Sequence, residues 1–355
     1  MQTCKEIKRE ERLNMSNIVT FGEIMMRLAT QRRERFTQAR EFEVTYGGGE
    51  CNVAVTLSNF GLDATFVSAI PDNDIGQSCI NYIRQFGVDT SKILRQGKRL
   101  GIYFLESGAS MRASKVVYDR AASAISEVQS NQFDWEEIFD GKSWFHFTGI
   151  TPAISSTASN ECMVAAKTAK KMGLMVSADM NYRKNLWSPE DAQKTMIPLM
   201  EYVDVAIGNE EDAEKCLGIA AEGVDVTTGE IDANAYESVV KDLVSKYGFK
   251  KVAITLRESH SADDNDWSAI YFDGKDILIG NKYPIRIVDR VGGGDAFCGG
   301  MIYGLNRSDW SSREVLDFAV ASSAVSHTFH GDFNLVSLKE VLSVAGGDTS
   351  GRVQR

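Results

Sequence analysis

Residues 287–297 read Ile287-Val288-Asp289-Arg290-Val291-Gly292-Gly293-Gly294-Asp295-Ala296-Phe297, and this stretch decides the fold. A strand-like run ends in three consecutive glycines, and an acidic residue and a helical run through Leu305 follow. Glycine tolerates close backbone approach and dihedral angles that other residues avoid. The helix directs its free N–H groups and the positive end of its dipole into the turn. The stretch therefore predicts an anion-binding turn between a strand and a helix.

Asp295 stands at the start of that helix, beside the predicted anion. A carboxylate next to a bound phosphate is electrostatically unfavourable, and accepting the proton of an attacking hydroxyl is a role that would justify it. The same position also permits Asp295 to cap the helix. The glycine spacing differs from the P-loop and from the dinucleotide-binding fingerprint, which argues against a NAD-dependent dehydrogenase.

Short apolar runs alternate with helical runs on the N-terminal side of this turn. The predicted strands cover residues 18–21, 64–70, 144–147, 174–178, 203–207 and 252–256. The predicted helices cover residues 50–60, 75–86, 154–172, 189–200 and 236–247. Strands that alternate with helices of this length indicate an α/β fold, with a central, mostly parallel sheet covered by helices on both faces.

Residues 42–46, 101–105 and 116–118 instead alternate between apolar and polar side chains. This pattern is typical of half-exposed antiparallel strands, so we expect them to leave the main sheet and form a small β-strand lid. A lid that closes over the glycine turn would exclude water from phosphoryl transfer. An edge extension that serves only a dimer contact is the alternative.

The amino-acid composition limits the kinds of binding partner and the cellular compartment that we expect for this protein. The 355 residues carry 39 Lys and Arg against 49 Asp and Glu, a formal net charge of −10, which argues against nucleic acid or an anionic membrane as the main partner. No apolar run approaches the roughly 18–20 residues of a membrane span. Six widely spaced cysteines suit reduced thiols in a cytoplasmic protein better than disulfides or a zinc site. For His327 and His330 a structural role is favoured over metal binding.

Three segments resemble the motifs of ribokinase-like (PfkB-type) carbohydrate kinases. Residues 289–295 are similar to the family's Asp-Thr-x-Gly-Ala-Gly-Asp, with Arg290 and Gly293 as departures. Residues 47–54, Gly-Gly-Gly-Glu-Cys-Asn-Val-Ala, resemble its N-terminal Gly-Gly motif, which contacts the sugar. Residues 209–212, Asn-Glu-Glu-Asp, resemble its Asn-x-x-Glu motif, with Asp212 as a departure.

The resemblance covers residues 17–344 and implies a ribokinase-like kinase domain over residues 17–345. It implies a discontinuous lid at about 29–46 and 100–120. Residues 1–16 are then a disordered or overlong N-terminal tail without the apolar segment of a secretory signal, and residues 346–355 are a C-terminal tail.

The resemblance also implies roles for individual residues. Asp295 would be the catalytic base, and the turn amides of Gly292, Gly293 and Gly294 would form the anion hole. ATP would contact residues of this turn and of the neighbouring strands, namely Asn209, Thr255, Arg257, Gly292 and Gly294. Mg²⁺ would bind through water to Asn209 and Asp212, and the need for a monovalent cation stays open. Residues 258–267 look like an insertion relative to the family.

Two further segments resemble 2-keto-3-deoxygluconate kinases within the family. Residues 118–124 are similar to their Tyr-x-Arg-x-x-Ser-Ala, and residues 179–187 contain their Asp-x-Asn-x-Arg…Leu-Trp. The guanidinium groups of Arg120 and Arg183 suit the carboxylate of a sugar acid, which a neutral sugar lacks. The substrate contacts implied by the resemblance are Gly48, Asn52, Tyr103, Tyr118, Arg120, Arg183 and Asp332. The alternatives are a surface ion pair for Arg120, a place in the lid core for Tyr103 and a turn position for Asp332.

The resemblance therefore implies an ATP-dependent kinase that phosphorylates the 6-hydroxyl of 2-keto-3-deoxygluconate. The alternatives are a fructokinase- or ribokinase-type kinase of a neutral sugar, a dual-specificity kinase of keto-deoxy sugar acids, and a sensor that retained the fold without catalysis. We expect a cytoplasmic protein with no nucleic-acid or membrane partner that forms a homo-oligomer through the lid.

Overall fold

The computed structural model describes residues 17–209, 211–220 and 233–352. Its strands are β1 (Asn17–Phe21), β2 (Met25–Thr30), β3 (Phe42–Gly47), β4 (Asp63–Ile70), β5 (Ile93–Arg95), β6 (Gly101–Glu106), β7 (Lys115–Asp119), β8 (Trp144–Thr148), β9 (Met175–Asp179), β10 (Val205–Asn209), β11 (Lys251–Ser259), β12 (Asp264–Phe272), β13 (Ile277–Ile279) and β14 (Tyr283–Arg286). Its helices are α1 (Gly49–Asn59), α2 (Asp74–Arg84), α3 (Trp135–Phe139), α4 (Ile150–Ile154), α5 (Ser156–Lys171), α6 (Pro189–Met200), α7 (Asp212–Leu217), α8 (Ala233–Tyr247), α9 (Gly293–Leu305), α10 (Ser312–Ser326) and α11 (Leu338–Ala345). Within these ranges no helix combines the length and the apolar character that a membrane span requires.

The main sheet has the strand order β13-β12-β11-β10-β9-β8-β1-β4-β5, and β14 pairs with β12. The strands from β11 through β5 are parallel to their neighbours, while β12 is antiparallel to β11, β13 and β14. The predicted α/β class with a mostly parallel sheet is confirmed. The carboxyl ends of the parallel strands meet at one edge, which is where ligands bind in sheets of this kind.

Helices cover both faces of the main sheet. On one face α1, α9 and α10 bury Val53, Phe297 and Phe318 in one hydrophobic cluster. On the other face α5 and α8 bury Cys162 and Val240 in a second cluster. The described cysteines are buried free thiols, as the sequence predicts, and they are Cys51, Cys79, Cys162, Cys216 and Cys298.

The predicted helix over residues 154–172 corresponds to α5, and only Ile154 at its start belongs to a separate helix, α4. Ser155 has an extended backbone and its side chain accepts a hydrogen bond from Ala158 N–H, so it ends α4 and caps α5. A serine that satisfies the free amides of a new helix competes with continuation of the old one. The segment at 258–267, predicted as an insertion, forms the tip of the β11–β12 hairpin and part of its two strands.

A second, smaller sheet has the order β3-β2-β6-β7. The pairs β2–β3 and β6–β7 are antiparallel, but β2 and β6 are parallel, which corrects the expectation of antiparallel strands alone. A hairpin cannot join parallel neighbours, and the chain reaches β6 from β2 only after β3, α1, β4, α2 and β5. The sheet begins at Met25, while the lid was predicted from about residue 29.

The hairpin tip connects this small sheet to the main sheet. Asp263 accepts a hydrogen bond from Ser110 N–H at 2.7 Å and pairs with Arg33 at 2.8 Å. Ala262 N–H also donates to Ser110 O at 2.8 Å. The tip therefore joins the segment between β6 and β7 to the strands beside the glycine turn.

Candidate active site

A cavity of about 410 Å³ lies between the small sheet and the carboxyl ends of the parallel strands. All residues that the sequence assigned to the site line it. They are Gly48, Asn52, Tyr103, Tyr118, Arg120, Arg183, Asn209, Asp212, Thr255, Arg257, Gly292, Gly293, Gly294, Asp295 and Asp332. The fold thus brings the predicted set together in one place, and their individual roles remain predictions.

The glycine turn is shaped by what surrounds it. Gly292 has a φ of +85°, and a Cβ built there would lie 2.2 Å from Asp332 O. A Cβ at Gly293 would lie 2.3 Å from His327 Cε1, so the alanine of the family motif does not fit beside this histidine. The first bond inside α9 runs from Ala296 N–H to Gly292 O at 2.8 Å, so the amides before Ala296 lack an acceptor within the helix. Free amides at the start of a helix can bind an anion, so this geometry is compatible with the predicted anion hole, which stays a prediction.

Asn52 fixes the position of Asp295 from across the cavity. Its Nδ2 donates to Asp295 Oδ2 at 2.6 Å, and its Oδ1 accepts from Gly48 N–H at 3.1 Å. The residue that caps α9 is Gly292, so the capping alternative for Asp295 does not describe its side chain. Burial raises the pKa of Asp295 to about 6, against the lowering effect of the Asn52 hydrogen bond. The carboxylate is therefore ionised at neutral pH and able to accept a proton.

The pKa of Asp295 predicts how kcat/KM should fall at acidic pH. We expect kcat/KM to fall on acidification through about pH 6, because the protonated carboxyl no longer accepts a proton. Asn52→Leu removes the donor that lowers the pKa, so its acid limb should move to higher pH. Asn81→Leu, on the exposed face of α2, is the control. Coinciding limbs for the wild type and Asn52→Leu would contradict the assignment.

The lid end of the cavity carries the two predicted arginines. Arg120 forms an ion pair with the buried Glu23 through its Nη2, and Glu23 also accepts from Ser123 Oγ at 2.6 Å. The Arg120 guanidinium lies 5.5 Å from the centre of the Tyr118 ring, and its side chain is 12% exposed. Arg120 is thus an internal ion-pair partner whose guanidinium still faces the cavity. Arg183 is exposed at the mouth, where its Nη1 donates to Tyr182 O at 3.0 Å.

Tyr103 and Asp332 are engaged with each other and with the small sheet. The Tyr103 hydroxyl lies 2.5 Å and 2.6 Å from the two Asp332 carboxylate oxygens. Arg27 of β2 donates to Asp332 Oδ1 at 2.6 Å and, through its other terminal nitrogen, to Asp289. All four side chains are buried. This network ties the small sheet to the segment before the glycine turn, and a sugar contact by Asp332 or Tyr103 stays a prediction.

Asn209 and Asp212 form a reciprocal pair at the start of α7. Asp212 Oδ2 accepts from Asn209 N–H at 2.8 Å, and Asn209 Oδ1 accepts from Asp212 N–H at 3.2 Å. Asp212 Oδ1 accepts from Tyr182 N–H at 2.9 Å. Asp179 lines the same part of the cavity. Burial raises the pKa of both carboxyl groups, and for Asp179 the neighbouring charge of Asp212 adds to the increase.

The sequence reasoning missed several residues of the cavity and its support. Asp179 lay inside a motif that was matched but was given no role, and Trp267 lay inside the segment predicted as an insertion. Glu50 follows the first glycine motif, is buried, and accepts hydrogen bonds from Thr148 and Thr151 at 2.7–2.9 Å. An acidic residue in the apolar run that begins α1 was the available signal for it.

His327 is a wall of the cavity. Its Nδ1 lies 2.6 Å from Ser323 O, and its ring centre lies 4.9 Å from that of Trp267. Burial lowers its pKa to about 4, so the ring is neutral near pH 7. These contacts account for His327 as a packed side chain beside Gly293.

Comparison with known proteins places this cavity in a family. The family model described as pfkB family carbohydrate kinase matches residues 15–337. The chain belongs to this family. It is therefore a phosphotransferase that acts on a sugar hydroxyl, and its fold is ribokinase-like.

Similar proteins cover nearly the whole chain. The 2-dehydro-3-deoxygalactonokinase of Haloferax volcanii is 30% identical over 336 residues, which are 95% of this chain and 98% of that protein. The crystal structure of 2-dehydro-3-deoxygluconokinase from Thermotoga maritima is 50% identical, with a TM-score of 0.90, and the match covers 94% and 100% of the two chains. A PfkB family carbohydrate kinase from Listeria grayi is 32% identical, with a TM-score of 0.86 and coverage of 93% and 100%.

Proposed function

We propose that this kinase transfers the γ-phosphoryl group of ATP to the 6-hydroxyl of 2-keto-3-deoxygluconate. The observation that carries the proposal is one cavity that holds an oriented carboxylate, Asp295, beside the glycine turn, and that Arg120 and Arg183 also line. The names of the Haloferax and Thermotoga relatives support a 2-keto-3-deoxy sugar acid as the acceptor.

The residues of the cavity divide the chemistry between them. Asp295 accepts the proton of the 6-hydroxyl as its oxygen attacks the γ-phosphorus, and the bond from that phosphorus to the bridging oxygen of ADP breaks. The amides of the glycine turn stabilise negative charge on the transferring phosphoryl group. Asn52 holds Asp295 in place for the transfer. The products are the 6-phosphate ester, ADP and a proton that leaves from Asp295.

The donor set near α7 fits Mg²⁺. Asp179 and Asp212 supply carboxylate oxygens, the ligand type that Mg²⁺ prefers. Each Asp212 oxygen already accepts a backbone N–H, so a contact through water fits this residue better than a direct one. Mg²⁺ would neutralise phosphate charge next to these carboxylates. A monovalent cation remains a prediction.

The sugar-acid assignment makes a prediction for Arg183. Arg183→Ala should lower kcat/KM for 2-keto-3-deoxygluconate by roughly 10- to 100-fold, because one charge-assisted hydrogen bond to the carboxylate is lost. Turnover of fructose should fall less, since fructose has no carboxylate and loses only the effect of the Arg183 charge on Asp295. Lys184→Ala, a neighbouring cation at the same mouth, is the control. Equal losses on both sugars would contradict a carboxylate contact.

The site of phosphorylation is tested on the product. We expect the product of the reaction with 2-keto-3-deoxygluconate to show phosphorus–proton coupling to the two hydrogens on C6 in ³¹P NMR. Coupling to a ring proton instead would contradict the 6-hydroxyl as acceptor.

Two alternatives for the substrate differ in their support. The Haloferax relative is named for the galactonate-derived acid, so a dual-specificity kinase of keto-deoxy sugar acids is the second candidate. A kinase of a neutral sugar lacks a carboxylate for Arg183 to bind, whereas Arg120 also has the buried Glu23 as its partner. A non-catalytic sensor lacks a reason for the Asn52–Asp295 hydrogen bond.

A row of apolar side chains crosses the outer face of the small sheet. Val44, Leu28, Phe104 and Val117 are successive neighbours across the four strands. Val44 is 53% exposed and Val117 is 52% exposed. Such a row is the surface that the predicted homo-oligomer through the lid requires. The oligomer and the cytoplasmic location remain predictions.

A further inference from the structure

Arg290 stands where the family motif has threonine, and the proposed function gives it no role. It stands two residues before Gly292 and lines the cavity, half-buried. Within the described ranges its guanidinium makes no hydrogen bond and no ion pair. An arginine withdrawn from water without an anionic partner is costly, and such a group is most simply explained by an anion that binds it.

A second positive charge stands beside it. Arg257 of β11 lines the same cavity. Burial, and then the like charge of Arg257, lower the pKa of Arg290. The like charge of Arg257 adds to the cost of burying the Arg290 guanidinium, and an anion placed against Arg290 would remove that cost.

The position of Arg290 and Arg257 in the cavity indicates which part of a bound phosphoryl donor they would contact. The glycine turn and Asp295 define where the transferring phosphoryl group reacts. Arg257 is paired with Trp267 across the β11–β12 hairpin, and the Trp267 ring centre lies 4.9 Å from that of His327. The charges of Arg290 and Arg257 both act on His327, so the pair lies at this part of the cavity. The neutral His327 and the buried Trp267 add no negative charge that would compete with a ligand there.

We infer that Arg290, beside Arg257, binds the phosphates of the donor that remain in ADP after transfer. The inference rests on the proposed function, because it takes a nucleoside triphosphate as donor. The affinity of the protein for nucleotides should then depend on the diphosphate group more than on the nucleoside. Inorganic pyrophosphate and ADP can both contact Arg290 in this way, whereas AMP and adenosine largely cannot. A planar guanidinium suits this role because it can donate two parallel hydrogen bonds to phosphate oxygens.

Calorimetric titration of the full-length protein with ADP, pyrophosphate, AMP and adenosine, each in the presence of Mg²⁺, tests the inference. Arg290→Gln should weaken ADP and pyrophosphate by roughly 10- to 100-fold, the range of one hydrogen bond to a charged group, and AMP by less than about threefold. Arg286→Gln removes an exposed arginine four residues earlier, outside the cavity, and should leave all four affinities unchanged. Arg290→Lys keeps the charge without the planar fork and should lie between the wild type and Arg290→Gln, which also keeps the test valid if Arg290→Gln does not fold.

The outcomes separate the inference from the function beneath it. Suppose that the wild type binds ADP and that both Arg290 variants bind ADP and pyrophosphate as tightly as the wild type does. The inference about Arg290 is then overturned, and the kinase proposal stands. If the variants weaken adenosine and AMP as much as ADP, Arg290 contacts the nucleoside and the inference is equally overturned. If the wild type binds neither ADP nor pyrophosphate, the ATP-dependent function fails and the inference falls with it.

Discussion

Asp295→Asn is expected to lower kcat by about 10²- to 10⁴-fold, the range that general-base catalysis supplies, while ATP affinity stays within a few-fold of the wild type. Asparagine has nearly the same shape and keeps an oxygen that accepts from Asn52 Nδ2, so the turn should retain its geometry. It no longer accepts a proton from the sugar hydroxyl. The measurement is steady-state ADP release with 2-keto-3-deoxygluconate, together with a titration of ATP.

The control for this variant is the same substitution in the first turn of another helix. Asp74→Asn changes an exposed carboxylate at the start of α2, outside the cavity, and should leave kcat unchanged. The assigned role would be lost if Asp295→Asn turned over at a rate near that of the wild type. A large loss of ATP affinity with little change in kcat would also contradict it, because a base acts on the chemical step.

Arg27→Met is expected to reduce the free energy of unfolding by about 3–5 kcal/mol, the usual cost of removing one partner from a buried ion pair. Arg27 contacts Asp332 and Asp289, and all three side chains are 3–4% exposed. Methionine fills much of the volume but leaves two carboxylates buried without their cation. Urea unfolding followed by tryptophan fluorescence measures the change.

The loss in free energy of unfolding caused by Arg27→Met should be larger at high pH than at low pH. Burial raises the pKa of Asp332, and Arg27 opposes that increase, so removing Arg27 raises the pKa further. A carboxyl group whose pKa is higher in the folded state stabilises the fold at low pH and loses that contribution as the pH rises through the folded-state pKa. The difference between Arg27→Met and the wild type should therefore shrink as the pH is lowered through the folded-state pKa of Asp332.

Arg99→Gln is the matched control for the ion network. Arg99 also pairs with an aspartate of the small sheet, Asp119 at 2.7 Å, but both side chains are in contact with water. Its loss should change stability little, because exposed ion pairs contribute little. A small, pH-independent effect of Arg27→Met, equal to that of Arg99→Gln, would contradict a structural role for the buried network.

Local signals explain why much of the fold was predictable. Ser311 with Glu314 and Ser337 with Glu340 form capping boxes, and Ser188 caps α6. Such pairs lie three residues apart, so the sequence contains the whole interaction. The glycine turn was predictable for the same reason, since the strand, the glycines and the helix follow one another directly.

The contacts that organise the cavity were not predictable, because their partners are distant in the chain. Asn52 and Asp295 are 243 residues apart, and Arg27 is 262 residues from Asp289 and 305 from Asp332. No spacing rule connects such positions, and only the docking of the small sheet brings them together. Glycine stands at position 293, where the family motif has alanine, because His327 occupies the space beside it. His327 lies at the C-terminal end of α10, far from Gly293 in the sequence.

The central claim is that the cavity is built for a sugar acid and for ATP. The most direct measurement is ADP release with ATP and Mg²⁺ across a panel of 2-keto-3-deoxygluconate, 2-keto-3-deoxygalactonate, fructose and ribose. We expect the highest kcat/KM for a keto-deoxy sugar acid, with the gluconate-derived acid first, and far lower values for the neutral sugars. A preference for fructose or ribose, or no ADP release with either acid, would contradict it.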